Sequence, residues 1–279
     1  MSSPRFFIGA DPEMVVFNRG KVTSAIPLLV GTKENPQRRK KGVLISHDNV
    51  MAEFAISKCS HPSEFAGKIE SAKGVINKML PFGHTVKAMA SAVYPTEELE
   101  HEEANRFGCD EDFNAWTLTP NERPEPKGGL RTCGGHVHVG AGNGTDFLLD
   151  DIGKIDMVKA LDATLGMALT AIGIKQLELR RRNMYGQAGC HRPKEYGVEY
   201  RTPSSFWIST HQMTRLVYSL VEDAVDLVLA RTPTAALDER EIVDIINTCD
   251  AKKAKAAVNA QIMANAMSAK TFKLLNITG

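Results

Sequence analysis

Apolar residues recur along this chain at two spacings, every second position in some stretches and every third or fourth in others. The change of spacing divides it into strands and helices. Residues 5–17 read as an apolar strand, a tight Asp11-Pro12 turn and a second strand. Residues 33–41 are polar, contain Pro36 and read as an exposed loop. Residues 43–56 hold two apolar runs around His47-Asp48-Asn49, which predicts a hairpin. Ser60-His61-Pro62-Ser63-Glu64 then supplies a cap, a proline for the first turn and early acid. Phe65, Ile69, Ala72, Ile76 and Met79 follow on one helical face.

Residues 84–92 predict a strand, and residues 95–129 a long irregular segment rich in acid, proline and asparagine. Segments of that length inside a domain are more often functional than idle. Residues 134–140 alternate as a strand. Residues 150–173 predict one long helix through Ile155, Val158, Leu161, Leu165 and Ala168. Residues 180–195 read as a second irregular stretch and 197–202 as a strand. Residues 208–230 read as a helix through Met213, Leu216, Val217, Leu220, Ala224 and Leu227, and residues 240–279 as further helices. Strands and helices do not alternate one for one. The expected fold class is therefore α+β, a mostly antiparallel sheet with helices packed on one face. Residues 1–279 are read as a single domain on which the helices of about 208–279 pack.

Composition narrows the function. The chain has 279 residues, 43% apolar and 24% charged, with a net charge of +1. Near-neutrality gives no bulk electrostatic case for nucleic acid or an anionic membrane. No run reaches the roughly 18 apolar residues that a membrane helix needs. The start of the chain lacks the apolar stretch of a signal peptide. Five scattered cysteines without a CxxC fit reduced thiols. A cytoplasmic protein is expected.

The chemistry concentrates in four strand motifs. In GGHVHVG, His136 and His138 are two apart and share a strand face, as a metal or phosphate would require. The flanking glycines would allow close approach to the backbone. The same pair also reads as two hydrogen-bonded histidines on a half-exposed strand. Asp11 and Glu13 share a face near the end of an apolar strand and repel unless a cation lies between them; an ordinary turn with a capping acid is the alternative. Glu53 is the one charge in MAEFAI, to be paired or coordinated if it is buried. In GVEYR, Glu199 and Arg201 share a face, an acid for a metal beside an arginine for an anion, or a surface ion pair. Oxygen ligands dominate, which favours magnesium or manganese over zinc. Neither a P-loop nor a dinucleotide fingerprint is present. The loop that begins at Arg180-Arg181-Arg182 contains Gly186 and Gly189, read as points of motion for closing over a ligand.

The order of these motifs resembles the carboxylate–amine ligases of the glutamine synthetase and glutamate–cysteine ligase superfamily. The RRRNMYG…YGVEYR stretch and the FGCDEDFNAW stretch (107–116) are similar to the phage-type COOH–NH2 ligases, or type 2 amidoligases. The resemblance covers about residues 5–207. It implies a glutamine synthetase-like curved sheet forming half of a funnel, with ATP entering one end and the acid and amine the other. It also implies Mg2+, or Mn2+, held by glutamates, and an acyl-phosphate intermediate. Carried over by residue, Glu13, Glu53 and Glu199 become metal ligands, and Asp11 stands where many relatives carry a glutamate. His136 becomes a metal or phosphate ligand, and His138 a nucleotide-side contact. Arg201 becomes a phosphate contact, Arg182 and Arg192 contacts to phosphate or to a substrate carboxylate, and Arg180 and Tyr185 loop residues on the nucleotide side. Substrates would be small-molecule or peptide acids and amines. Assembly into homo-oligomers is compatible with the family. A guanidino kinase-like phosphotransferase, a metal-dependent hydrolase and a non-catalytic module on the same scaffold are the competing functions. Amide formation, phosphoguanidine formation and strong ATP binding distinguish them.

Overall fold

The computed structural model describes residues 3–32, 34–106, 111–122, 124, 128–230, 238–264 and 266–278. Its centre is a large sheet. The strands are β1 (Phe6–Ala10), β2 (Glu13–Asn18), β3 (Lys21–Thr23), β4 (Gln37–Lys40), β5 (Val43–Asp48), β6 (Met51–Cys59) and β7 (His84–Lys87). After β8 (Ser91–Val93) come β9 (Phe113–Asn114), β10 (Thr119–Pro120), β11 (Leu130–Thr132), β12 (Val137–Ala141), β13 (Cys190–Lys194) and β14 (Gly197–Tyr200). The central order is β10-β9-β13-β14-β12-β1-β6, and β8 pairs apart with β11. The pairings along this path are antiparallel, as the alternating pattern predicted.

Helices α1 (Pro62–Met79), α2 (Asp151–Leu161) and α5 (His211–Leu229) pack together and cover one sheet face. Ile8, Ala10, Ala52, Phe54, Val137, Val139, Val198 and Tyr200 meet Phe65, Ile69, Leu161, Leu165, Leu216 and Leu220 there in one buried core. The shorter helices are α3 (Met167–Ile172), α4 (Lys175–Arg182), α6 (Glu239–Thr248), α7 (Ala251–Met263) and α8 (Ala269–Thr278). The α+β architecture and the helix-covered face agree with the sequence reading. Among the described residues no helix is long and apolar enough to cross a membrane.

Four local expectations are corrected. Asp11-Pro12 does not reverse the chain: Ala10 pairs with Ile56 and Glu13 with Glu53, so β1 and β2 run on along the same neighbour. Proline lacks the N–H for a ladder bond, which interrupts the strand without turning it. The polar stretch 33–41 contains β4, whose charged side chains suit a sheet edge (Lys33 lies outside the described residues). The helix expected over 150–173 is interrupted by a π-helical turn at Asp162–Gly166. The stretch 180–195 is the end of α4, a tight turn and β13.

That turn and the glycines serve packing. Gly186 and Gly189 have φ of 68° and 80°, and a Cβ on Gly186 would sit 1.9 Å from the Arg181 guanidinium. At both positions the backbone lies closer to its neighbours than a side chain would allow. Likewise a Cβ on Gly135 would lie 2.3 Å from the Ser204 carbonyl and 2.6 Å from Trp207 Nε1. The space beside Gly135 is thus filled by protein and not by a ligand.

Behind β14, Asp162 in the π turn accepts hydrogen bonds from Tyr200 (2.6 Å) and Trp116 (2.7 Å). Burial outweighs these bonds and raises its pKa from 3.8 to about 6.

Two outcomes follow. Gly135→Ala should cost about 1–3 kcal/mol in denaturant unfolding, because the overpacked contacts are backbone and indole and cannot move aside cheaply. For Asp162, the folded chain binds the proton more tightly than the unfolded chain. Its contribution is therefore full below the unfolded pKa and is lost as pH rises through about 6. Between about pH 3 and 7 the stability of wild type relative to Asp162→Asn should fall by about 3 kcal/mol. A pH-independent difference would show that Asp162 keeps an ordinary carboxyl pKa.

Candidate active site

The sheet face opposite the helices carries the charge. On β12 and β14 the core takes Val137, Val139, Val198 and Tyr200, so strand alternation turns His138 and Glu199 the other way. Register then aligns them. Arg192 stands opposite Glu199, Glu199 opposite His138, and His138 opposite Gly9. Gly9 leaves the His138 Cβ room at 3.6 Å from where its own Cβ would be. The neighbouring positions on the same face are Arg201, His136 and Asp11. Beyond them Glu13 faces Glu53 across β2 and β6.

These side chains converge. Asp11 Oδ1 lies 3.4 Å from His136 Nδ1 and 3.1 Å from His138 Nε2. Glu199 Oε1 is 3.7 Å from His136 Nδ1 and is paired closely with Arg201. Arg201 Nε also donates to Asp112 Oδ2 at 3.1 Å. Arg192 approaches Glu199 to 3.6 Å, and Lys194 Nζ lies 2.9 Å from Glu199 Oε2. Glu13 Oε2 accepts the Gly134 N–H at 2.7 Å, and Glu53 Oε2 accepts the Ser46 hydroxyl at 3.2 Å. Ligand atoms of Asp11, His136 and Glu199 all lie within 4.8 Å of one another.

The electrostatics suit a cation. Burial and Asp11 act to raise Glu199, but His136, Arg201 and His138 outweigh them and bring its carboxyl down to about 2. Burial also opposes ionisation of Asp11, yet the two imidazoles hold it well below the usual carboxylate range. Burial and the Arg201 charge push His136 down to about 4, against the pull of Asp11 and Glu199. His136 is therefore neutral at pH 7 and has a lone pair to offer. His138 is shifted the other way: burial lowers it, but Asp11 and Glu199 outweigh this and raise it. Two carboxylates and one neutral imidazole form a donor set that a hard divalent cation accepts.

Two hollows flank this cluster, one reached by His136 and the other by Asp11 and His138. One is a cleft lined by Glu13, His136, Arg181, Arg201, Asp112 and Tyr185, with Arg131 and Met51 also on its walls. The other is a more apolar cavity of about 530 Å³, lined by Phe7, Ala55, Gly140, Tyr196, Asp11 and His138. Tyr196 Oη is 2.7 Å from His138 Nδ1, and Lys58 stacks over Phe7 at 4.3 Å.

The sequence-predicted residues fall as follows. Asp11, Glu13, Glu53, His136, His138, Glu199, Arg201 and Arg192 lie on one sheet face, and Tyr185 lines the cleft. Arg182 does not line it: its buried guanidinium donates to the Gly186 and Thr202 carbonyls. Arg180 is exposed on α4. Arg181 enters the cleft instead, 1% exposed and bonded to the Thr202 and Arg201 carbonyls at 2.6 and 2.9 Å. Lys194, Asp112 and Tyr196 were missed as well. Reading residues 190–194 as a strand would have put Lys194 on the face of Arg192. Residues 107–110 of the FGCDEDFNAW stretch lie outside the described residues.

No curated protein matches the chain in sequence. Among solved structures it is similar to a GmaS/ADP complex, at 10% identity over 99% of this chain and 68% of that one, with a TM-score of 0.47. A bifunctional glutathione synthetase from Pasteurella multocida aligns at 9% identity over 98% of this chain and 46% of its own, TM-score 0.49. A glutamine synthase homologue aligns at 12% identity over 98% and 68%, TM-score 0.42. The family model described as phage phiEco32-like COOH.NH2 ligase-type 2 matches residues 128–269, which include His136, Arg181, Arg192, Lys194, Glu199 and Arg201. The chain belongs to this carboxylate–amine ligase family.

Proposed function

We propose that this ligase is ATP-dependent and forms its amide bond through an acyl phosphate. The observation that carries the reading is the cluster of Asp11, His136 and Glu199, with Asp11 on the wall of the apolar cavity and His136 on the wall of the charged cleft. A nucleoside triphosphate fits there, with its base among Phe7, Ala55 and Tyr196 and its terminal phosphates at the cluster. The acid substrate then occupies the cleft, where the buried Arg181 and Arg201 offer guanidinium groups to an oxyanion.

The chemistry follows in two steps. A substrate carboxylate oxygen attacks the γ-phosphorus, the bond to the β-phosphate oxygen breaks, and ADP leaves. The amine nitrogen then attacks the acyl carbon, the carbon–oxygen bond breaks to release phosphate, and the nitrogen loses its proton. Magnesium bound at these residues would offset charge on the transferred phosphoryl group. Asp11, His136 and Glu199 would hold one ion, and Glu13 and Glu53, facing each other in register, suit a second. Arg201 and Arg192 would stabilise the phosphoryl oxygens. Tyr196 closes one side of the cavity and helps keep out water, which would hydrolyse the acyl phosphate.

MgATP titrated calorimetrically should bind wild type and lose at least about tenfold, or about 1.4 kcal/mol, in Glu53→Gln and Glu199→Gln. ADP release should require both an acid and an amine. A well-folded wild type that binds no MgATP would sink this reading.

A further inference from the structure

The electrostatics of Glu199 raise a question of order. A carboxylate offers two oxygens and about four lone-pair directions. In Glu199 each oxygen has a close cation: Oε1 pairs with Arg201, with Arg192 at 3.6 Å and His136 at 3.7 Å beyond hydrogen-bond reach, and Oε2 pairs with Lys194 at 2.9 Å. Yet Glu199 is also one corner of the cation-competent triad with Asp11 and His136. A divalent ion arriving there alone meets three positive side chains, two of them already paired closely with the carboxylate it would share.

The three differ in how readily they can leave. Arg201 is 6% exposed on its side chain and is tied also to Asp112. Arg192 is buried at 8%. Lys194 is 32% exposed. It is a compact charge on a four-carbon stem, and it bonds Glu199 as a point charge without fork geometry. It lies two residues from Arg192 on β13, on the same sheet face.

We infer that Lys194 is a stand-in cation: it neutralises Glu199 in the ligand-free protein and passes to the polyphosphate when a nucleotide brings its divalent ion. The site thereby takes its ion with the nucleotide and not before it. Free metal has to expel Lys194 into solvent at the expense of an ion pair. Metal carried on a triphosphate supplies an oxyanion that accepts Lys194 in exchange. The two ligands are then coupled through one side chain, by equal factors in either direction. The identity of the anion rests on the proposed ATP dependence; the competition between Lys194 and metal does not.

The test is calorimetric titration of Mn2+ into wild type and Lys194→Met, alone and with a non-hydrolysable imido analogue of ATP. Lys194→Met should bind free Mn2+ at least about fivefold more tightly and the Mn2+–analogue complex at least about fivefold more weakly. Lys194→Arg should restore most of the analogue affinity. Opposite signs separate this role from a structural one, which would weaken both together. Unchanged affinities, or a joint loss, would overturn the inference. Wild type that binds no analogue while Lys194→Met still gains free Mn2+ would refute ATP dependence and uphold the metal competition.

Discussion

The carboxylate of Glu199 is 2% exposed and ionised, and the rest of the site is arranged around that fact. An unpaired buried charge costs several kcal/mol, so such a group persists only where cations and hydrogen-bond donors surround it. Register supplies them. Because β13, β14 and β12 are aligned, Arg192 and His138 flank Glu199 directly, while Lys194 and Arg201 reach it along the strands. A slip of one residue would turn Val198 and Tyr200 toward the cleft and drive Glu199 into the helix-covered core. The core therefore enforces the chemistry: the apolar residues between the charged ones hold the register that the charged ones need.

The same logic extends behind the sheet. Tyr200 points away from the site and donates to Asp162, which also accepts from Trp116. Asp162 lies in the π-helical turn between α2 and α3, and such turns arise where a side chain must be aimed irregularly. Gly166 in that turn leaves room for the Tyr200 hydroxyl, which a Cβ would meet at 2.8 Å. Trp116 continues into the segment that carries β9 and Asp112, and Asp112 orients Arg201. The segment 112–116 thus contacts both the Asp162 side of β14 and the arginine at its front. Buried polar networks fix geometry when fully satisfied.

Most of the face was legible in the sequence because strand alternation is a short-range rule. Asp11 and Glu13, His136 and His138, and Glu199 and Arg201 each sit two apart among apolar residues, and the structure brings each pair to the same side. What remained illegible depended on longer range. Asp11-Pro12 has turn chemistry, but pairing along β6 carries the chain straight on. Among Arg180, Arg181 and Arg182, sequence cannot tell which faces the cleft, since that depends on how α4 is rotated against its neighbours. Gly186 bears on the answer, because the atoms nearest to where a Cβ there would sit belong to the Arg181 guanidinium. Lys194 was hidden by the glycines and proline around β13, which disguise a strand as a loop.

The family match begins at residue 128, so Asp11, Glu13 and Glu53 lie outside it. Physical pairing nevertheless ties them to the matched half. Gly9 and Ala10 are in register with His138 and Val137, and the Glu13 carboxylate accepts the Gly134 N–H. Without β1, the matched half would leave β12 as an open edge, its unpaired backbone groups exposed. It would also leave Glu199 facing Arg192, Lys194 and Arg201 with Asp11 gone from beside the two histidines. In the proposed reaction a surplus of cations would attract phosphate but repel a divalent ion. Asp11, Glu13 and Glu53 on the N-terminal strands would redress that balance. The proposed site is thus completed by charge as much as by hydrogen bonding, and it needs both halves on one continuous face.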